Sequence, residues 1–268
     1  MSPAFRIRCL TRWDELPPLW SDLARDGRAT PFQTRTFLAA WYATLGGEPG
    51  ASPLIVEAVR ESDGAPALLL PLVLQSRGGL RVIGFADGGI ADNNAPILGP
   101  ACPPDETAFQ PLWRAIRAAL PPADLIAFDK MPLAVGGRAN PLLAAAPWRP
   151  SALSAHPLVL PDSFEAYSRS RTTKFRKEQE RIWRVFTRSD GARFDMIADP
   201  AEAARLLDDI DRLQGARMRE LGVPFALDRP PYAAMYRRLV ADGLAAGEVA
   251  LGALTCNGET VGALLGVS

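Results

Sequence analysis

The feature that most constrains the fold is an order of predicted elements that occurs twice in the chain. Residues 193–268 are predicted to form strand, helix, helix, strand and strand. Asp199 and Pro200 suit the N-cap and first position of the first helix. Asn257 and Gly258, between two apolar runs, predict a β-hairpin because both tolerate a positive φ. The predicted inner faces carry Phe194, Met196 and Ala198 in the strand, Ala203, Leu206, Leu207, Ile210 and Leu213 in the first helix, and Tyr232, Met235, Tyr236 and Leu239 in the second.

The same order is predicted near the N-terminus. A strand at Phe5 is followed by two amphipathic helices and by strands at 54–59 and 67–74. The second of these strands is almost continuously apolar, which predicts burial on both faces. We interpret the recurrence as an internal structural repeat, although the residues themselves are not alike. The predicted fold class is α/β (α+β): two units of mixed sheet flanked by helices, the second incomplete at its C-terminus.

The first copy continues where the second stops. A strand at 80–84 precedes a Gly/Asp/Asn-rich loop at 85–100, and a helix over 109–120 follows it. A strand at 124–129 and further extended segments at 148–160 complete this copy. Because the second copy ends after its third strand, coding sequence beyond Ser268 is expected. The predicted organisation is a first unit at 1–155, a linker strand and basic helix at 156–192, and a second unit at 193–268.

The segment from Ser163 to Arg188 is predicted to contain a strongly basic helix that starts at Arg171 to Lys177, with Phe175, Ile182 and Phe186 on an inner face. It is either a solvated helix with ion pairs such as Glu180 to Arg184, or a basic wall for an anionic ligand such as a nucleotide, phosphate or CoA. A nucleic-acid or lipid surface is favoured less, since aromatic residues do not interleave the charges. The basic residues are Arg169, Arg171, Lys174, Arg176, Lys177, Arg181, Arg184 and Arg188.

Composition excludes several classes of protein. The chain has 268 residues with 30 basic and 30 acidic side chains, so its net charge favours neither nucleic acid nor membrane. The N-terminus lacks the apolar core of a signal peptide, and the longest apolar run, Ala65 to Leu74, is too short to span a bilayer. Three widely separated cysteines predict reduced thiols rather than a disulfide framework or a metal cluster. A cytoplasmic protein without a metal is therefore expected.

Motifs for nucleophilic or nucleotide chemistry are missing from the sequence. The chain has one histidine, His156, directly before Pro157, and it lacks GxSxG, GxxxxGK[ST] and GxGxxG patterns. No catalytic residue can be assigned on this basis. The loop from Asp87 to Pro96 follows a predicted strand, where ligands collect in open α/β sheets. It is either a turn or the polar rim of a substrate cleft, with Asp92 and Asn94 as contacts.

Four segments, in this order and at this spacing, form a recognisable pattern. They are Pro31-Phe32-Gln33 before Phe37 to Trp41, the loop from Gly84 through Asp92 to Pro96, Arg171 to Lys177, and Leu213 to Arg217 through Gly222 with Tyr236, Leu239, Gly247 and Gly258. Together these segments resemble the GNAT acyltransferase superfamily, in the double-domain branch near the FemAB-type aminoacyltransferases. Bacterial proteins described as BioF-like or cellulose-biosynthesis-associated acetyltransferases are especially similar.

The resemblance implies transfer of an acyl group from acyl-CoA, in particular acetyl-CoA, to an amine or hydroxyl of a small-molecule or envelope/polysaccharide precursor. Two departures from the family pattern stand out. The loop at 84–100 lacks the Q/RxxGxG/A fingerprint, and Gln214 stands where many relatives have a histidine. The candidate substrate-binding residues are Asp92, Asn94, Arg171, Lys174, Arg176, Arg217 and Tyr236; for the last two, an exposed or packed helix residue is the alternative interpretation.

Two other functions remain open at this stage. A non-catalytic GNAT-like binding module in a polysaccharide or envelope pathway would have no affinity for CoA. A FemAB-like aminoacyltransferase would use aminoacyl-tRNA and would bind tRNA in a salt-dependent manner, which zero net charge does not favour. A homo-oligomer is also possible, because an unfinished sheet leaves a strand edge that can pair with another chain.

Overall fold

The computed structural model describes residues 4–152, 154–156 and 158–268, and it confirms the mixed α/β fold class. The strands are β1 Phe5–Leu10, β2 Ala51–Arg60, β3 Pro66–Arg77, β4 Leu80–Phe85, β5 Ile97–Leu98, β6 Leu125–Ile126, β7 Ala134–Val135, β8 Arg138–Ala139, β9 Arg193–Ile197, β10 Val249–Cys256 and β11 Glu259–Val267. The helices are α1 Leu19–Leu23, α2 Arg35–Ala43, α3 Glu106–Ala119, α4 Phe164–Ser170, α5 Thr173–Phe186, α6 Pro200–Ile210, α7 Ala216–Glu220 and α8 Pro230–Ala246.

The chain divides into two compact units that are not continuous in sequence. Unit 1 comprises Met1–Ala152, Ala226–Val249 and Val267–Ser268, and unit 2 comprises Leu153–Phe225 and Ala250–Gly266. Helix α8 therefore belongs to unit 1, although it lies far along the chain. The boundaries at 155 and 192 that the sequence predicts for two GNAT-like units stay a prediction.

Unit 1 is built on a sheet with the strand order β1-β2-β3-β4-β6, in which β5 also pairs with β3. Neighbouring strands are antiparallel except for β4 and β6, which pair in parallel. That parallel contact joins only Val82 to Leu125 and Ile83 to Ile126. The strand predicted at 124–129 is accordingly short.

Strand β3 is buried on both faces, as its continuous apolar sequence predicts. Leu68 and Leu70 belong to a core cluster that includes Phe109 and Trp113 of α3. Leu69, on the opposite face, belongs to a second cluster with Trp20 of α1. Because side chains alternate across a strand, a sheet covered on both sides requires apolar residues at consecutive positions.

Helix α8 packs on α2 within unit 1, and glycine makes this contact possible. Met235 of α8 and Trp41 of α2 are both fully buried. A Cβ added to Gly243 would lie 2.5 Å from Val249 Cγ2 and 3.2 Å from Thr36 Cγ2, so only glycine fits without movement of its neighbours. Gly247 then ends α8 at a φ of 69°, the left-handed conformation that a helix C-terminus favours for glycine.

Unit 2 contains the three-stranded sheet β11-β10-β9 and the helices α4 to α7. Asp199 caps α6 by accepting a hydrogen bond from Glu202 N at 2.8 Å, and Ala203, Leu206 and Leu207 are buried. Asn257 and Gly258 both have a positive φ, so the predicted hairpin turn is confirmed. The sheet follows the same order as β1, β2 and β3, since β9 pairs antiparallel with β10 and β11 lies beside β10.

Two predictions from the sequence are wrong. The described residues between 148 and 192 contain no strand, so the expected linker strand is not formed. The basic helix begins close to Arg171, as predicted: Thr172 caps α5 by accepting a hydrogen bond from Phe175 N at 3.2 Å, and the short helix α4 precedes it. Neither α4 nor α5 has a buried residue, so the side of α5 with Phe175, Ile182 and Phe186 is not the buried inner face that was expected.

Two further expectations for unit 2 also need correction. Phe194 and Met196, predicted on the inner side of β9, are 50% and 62% exposed. In α5 the ion pair that the structure shows joins Arg181 to Glu178 at 2.7 Å. Side chains three residues apart on a helix can form an ion pair as well as side chains four residues apart, and the sequence alone does not show which pair forms.

Candidate functional site

The polar loop of unit 1 begins where β4 ends and turns through two glycines. Gly88 and Gly89 have φ of 61° and 84°, values that residues with a side chain rarely adopt. The Ala91 backbone N–H donates to Asp87 Oδ1 at 2.7 Å, which closes the turn. The loop is therefore a defined structure.

An ion pair holds this loop to the segment after β6. Lys130 Nζ lies 3.1 Å from Asp87 Oδ2 and donates to the Ala91 carbonyl at 2.7 Å. The Asn94 side-chain amide donates to Asp87 Oδ2 and to the Asp129 carbonyl, both at 3.2 Å. Asn94 is 3% exposed, so its amide group serves the loop itself in this structure. Its role as a ligand contact stays a prediction.

Helix α8 holds the other side of the loop. The Tyr232 hydroxyl donates to the Gly88 carbonyl at 2.7 Å, and the Arg229 guanidinium lies over the Tyr232 ring at 4.1 Å. A Cβ on Gly88 would lie 3.3 Å from Trp41 Nε1, so the indole N–H lies next to the loop backbone. Within the described ranges this buried N–H has no hydrogen-bond acceptor.

Asp92 and Tyr236 form the accessible part of the cluster. Asp92 is exposed and Tyr236 is half-buried. Burial raises the pKa of the Tyr236 phenol, and the negative charge of Asp92 and the neighbouring Tyr232 raise it further. Tyr236 is thus a neutral hydroxyl at physiological pH, within electrostatic range of the Asp92 carboxylate. This pair can accept a hydrogen bond from an ammonium group and also donate one to a polar acceptor atom.

Unit 2 brings three of the predicted basic residues together at the junction of α4 and α5. The Arg171 guanidinium lies 4.5 Å from the centre of the Tyr167 ring, and its buried Nε meets no acceptor in the part of the chain described. Arg176 Nη1 points back to the Arg169 and Arg171 carbonyls at 3.4 and 3.5 Å. Lys174 is exposed in the first turn of α5. Cations at this position suit an anionic ligand.

The seventh predicted residue lies elsewhere in unit 2. Arg217 is in α7, where its Nη1 donates to Glu220 Oε2 at 2.8 Å, and both side chains are largely exposed. The predicted residues thus fall into two groups. Asp92, Asn94 and Tyr236 lie in unit 1, and Arg171, Lys174, Arg176 and Arg217 lie in unit 2.

Sequence reasoning missed Lys130 and Trp41 as parts of the unit 1 cluster. The signal for Lys130 was its place just after a predicted strand, since the carboxyl ends of parallel strands meet at one edge of a sheet. That signal needed the parallel pairing of β4 with β6, which the sequence did not reveal. Trp41 carried an apolar helical spacing, and nothing in this pattern showed that its N–H would lie beside Gly88.

Two kinds of feature are absent from the described residues. Among them, no helix has the length and apolar composition needed to cross a bilayer. The same part of the chain has no group of three or more His, Cys, Asp or Glu side chains placed to hold a metal ion.

Comparison with known proteins gives one match. Residues 173–268 match a family model described as an acetyltransferase (GNAT) domain. The match begins at the first residue of α5 and includes all of α5 to α8 and β9 to β11. No curated protein and no solved structure matches the chain.

Proposed function

We propose that this chain, whose residues 173–268 match an acetyltransferase (GNAT) domain, is an acyltransferase. It would transfer an acyl group from acyl-CoA, in particular acetyl-CoA, to an amine or hydroxyl of a small-molecule or envelope/polysaccharide precursor. The family match is the single observation that carries the proposal. The shared strand order of β1-β2-β3 and β9-β10-β11 supports a pair of related units, of the double-domain kind that FemAB-type and BioF-like proteins have.

The proposed acceptor contacts are Asp92 and Tyr236 in unit 1. An exposed carboxylate attracts an ammonium group, and the neutral phenol beside it gives a directional hydrogen bond. The loop that carries Asp92 is fixed by Lys130 and Tyr232, so the carboxylate is positioned before a ligand binds. Asn94 contributes by holding that loop.

The proposed contacts for the phosphates of CoA are Arg171, Lys174 and Arg176 in unit 2. The buried Nε–H of Arg171 has no acceptor among the described residues, which is the observation that fits an anionic group at this place. Arg217 is a weaker candidate, because its guanidinium already pairs with Glu220. The first helical turn of α5 contains no acidic residue that would repel a phosphate.

Unit 1 is less suited than unit 2 to bind the acyl donor, acyl-CoA. Helix α3 follows its polar loop, but Asp105 occupies the helix N-terminus by accepting a hydrogen bond from Ala108 N at 2.9 Å. Glu106 adds a second negative charge in the same turn. Two carboxylates at a helix N-terminus oppose the binding of a pyrophosphate there.

Two measurements test the proposal. Isothermal titration of CoA into the purified chain is expected to give binding that Lys174→Ala weakens by roughly tenfold, whereas Arg114→Ala on α3 has no effect. A second assay follows the release of the CoA thiol from acetyl-CoA in the presence of a panel of amines and hydroxyl compounds. At least one compound of the panel is expected to act as an acceptor. For that acceptor, Asp92→Asn should raise KM without changing CoA affinity. If the chain shows neither CoA binding nor turnover, the GNAT-like binding module becomes the better account.

The aminoacyltransferase alternative is tested with the same protein. Salt-dependent retention of tRNA, together with turnover of aminoacyl-tRNA in place of acyl-CoA, would favour a FemAB-like function.

A further inference from the structure

Helix α5 carries an apolar stripe that the described residues leave largely exposed, with only Phe186 half-buried. Phe175, Ile182 and Phe186 are spaced by seven and four residues, which places them on one side of a helix. Trp183 and Val185 flank that stripe. Phe175, Ile182, Trp183 and Val185 are between 39% and 54% exposed, and none of the 14 residues of α5 is buried.

The opposite side of the same helix is basic. Lys177, Arg181 and Arg184 share it, at spacings of three and four residues. Across 163–188 the sequence has eight basic and three acidic residues, although the net charge of the whole chain is zero. Positive charge is therefore concentrated in one segment, and it lies on the same helix as the exposed apolar stripe.

An amphipathic helix such as α5 is stabilised when an apolar environment covers its apolar side. Isolated helices shorter than about 12 to 15 residues are marginally stable in water, and an exposed apolar stripe adds no stability to the chain. A protein groove would cover the stripe but would make no use of the basic side, which water would solvate. An anionic bilayer surface matches both sides at once, since it combines a hydrocarbon boundary with negative headgroups.

We propose that α5 docks the chain on an anionic lipid bilayer. The helix would lie in the plane of the membrane, with Phe175, Ile182 and Phe186 at the boundary between headgroups and acyl chains. Trp183 would lie at headgroup level, where indole rings are enriched. At 1.5 Å per residue the helix is about 21 Å long, too short to span the hydrocarbon core. This proposal stands on the surface of α5 and does not depend on the acyl transfer proposed above.

Co-sedimentation with vesicles tests the apolar side. The full chain is expected to bind vesicles of phosphatidylcholine mixed with phosphatidylglycerol, and to bind pure phosphatidylcholine at least about tenfold more weakly. Ile182→Glu should lower the partition coefficient by about tenfold or more. The matched control is Leu133→Glu, at an exposed leucine of unit 1, which should bind like the unchanged chain. Circular dichroism of each variant confirms that it is folded.

The charge dependence gives an independent readout. Arg184→Ala is expected to weaken binding about fivefold, and Arg114→Ala on α3, which removes the same charge elsewhere, should leave binding unchanged. Raising the ionic strength should weaken binding further, because salt screens exposed charges.

Three outcomes would overturn the proposal. The first is equal binding to neutral and anionic vesicles, or none to either. The second is a dimer in light scattering that Ile182→Glu dissociates, which would make a second copy of the chain the occupant of the stripe. The third is a preference of the same helix for RNA over vesicles in a competition experiment.

Discussion

Glu57 is the most deeply buried carboxylate among the described residues, and its partners explain why it is tolerated. It lies in β2 and is 3% exposed. Trp20 Nε1 donates to Oε1 at 2.7 Å, and Arg8 Nε donates to Oε2 at 2.6 Å. A buried charge is costly unless it is paired and hydrogen-bonded, and here both oxygens have a donor. Glu57 thus connects α1 and β1 to the middle of the sheet.

We expect Glu57→Ala to lower the free energy of unfolding by about 2–4 kcal/mol, because the buried Trp20 N–H loses its acceptor and Arg8 loses its partner. Glu57→Gln keeps an acceptor for Trp20 and should cost less. Urea denaturation measures both changes. Exposed Glu61 is the control, and its alanine variant should stay within about 0.5 kcal/mol of the parent. An E57A variant as stable as E61A would contradict this account.

The pair of Asp92 and Tyr236 predicts a pH effect. A raised pKa in the folded state means that Tyr236 contributes stability that is fully present below pH 10, the usual pKa of a tyrosine. This contribution is lost as the pH rises through the folded pKa. Asp92→Asn removes the nearby negative charge, so it should lower the pKa of Tyr236 and move this loss to lower pH.

Ultraviolet absorbance of tyrosinate follows the titration directly. The shift caused by Asp92→Asn should vanish in a Tyr236→Phe background, which separates Tyr236 from the other tyrosines. Asp162→Asn, at an exposed carboxylate of unit 2, is the charge control. Identical titrations of the parent and Asp92→Asn would show that the two groups do not interact.

At the scale of elements, the pairing of β5 with β3 depends on the glycine that directly follows β5. Leu68 pairs with Leu98 and Leu69 with Ile97, and Gly99 N then donates to the Ala67 carbonyl at 3.0 Å. A Cβ on Gly99 would lie 2.1 Å from the Pro66 carbonyl oxygen, a distance that no Cβ contact allows. The end of β5 therefore requires glycine because of close backbone approach.

Gly99→Ala is expected to destabilise the fold by about 3 kcal/mol or more, since the backbone of β3 or β5 must move. The matched control is Gly47→Ala, where an added Cβ meets no atom within 4 Å. Thermal and urea denaturation of the two variants give the comparison. Equal stabilities would mean that β5 is free to shift away from β3.

At the scale of the whole molecule, unit 1 joins parts that are distant along the chain. Helix α8 lies on α2, and the Glu248 carboxylate accepts a hydrogen bond from Thr36 N at 3.3 Å. Trp41 and Met235, one from each helix, are both fully buried. Residues 226–249 are thus needed to complete the core that the first 152 residues begin.

This arrangement predicts complementation between two pieces. Residues 1–150 and 151–268, co-expressed as separate chains with a tag on one, should purify together because α8 of the second piece covers α2 of the first. Met235→Asp should abolish this association, since it buries an unpaired charge. Ala234→Asp, at an exposed position of the same helix, should preserve it. Independent elution of the two unmodified pieces would contradict the assignment of α8 to unit 1.

Local chemistry in the sequence determined most of the elements. Asp199, Thr172 and Gly247 mark helix ends through hydrogen bonds and backbone conformations that span only a few residues. The turn at Asn257 and Gly258 is equally local. The continuous apolar run of β3 correctly predicted burial on both faces, because apolar residues at consecutive positions suit a strand that is covered on both sides.

What covers each face, and which distant residues meet, was decided by the tertiary structure. The apolar stripe of α5 predicted a buried side, yet amphipathicity only shows that a helix has two faces. The sequence placed Asp92 and Tyr236 among the candidate contacts, but their electrostatic interaction depends on α8 lying beside the loop after β4. Lys130 entered the cluster only through the parallel pairing of β4 with β6. Such contacts join residues far apart in sequence, and no local pattern encodes them.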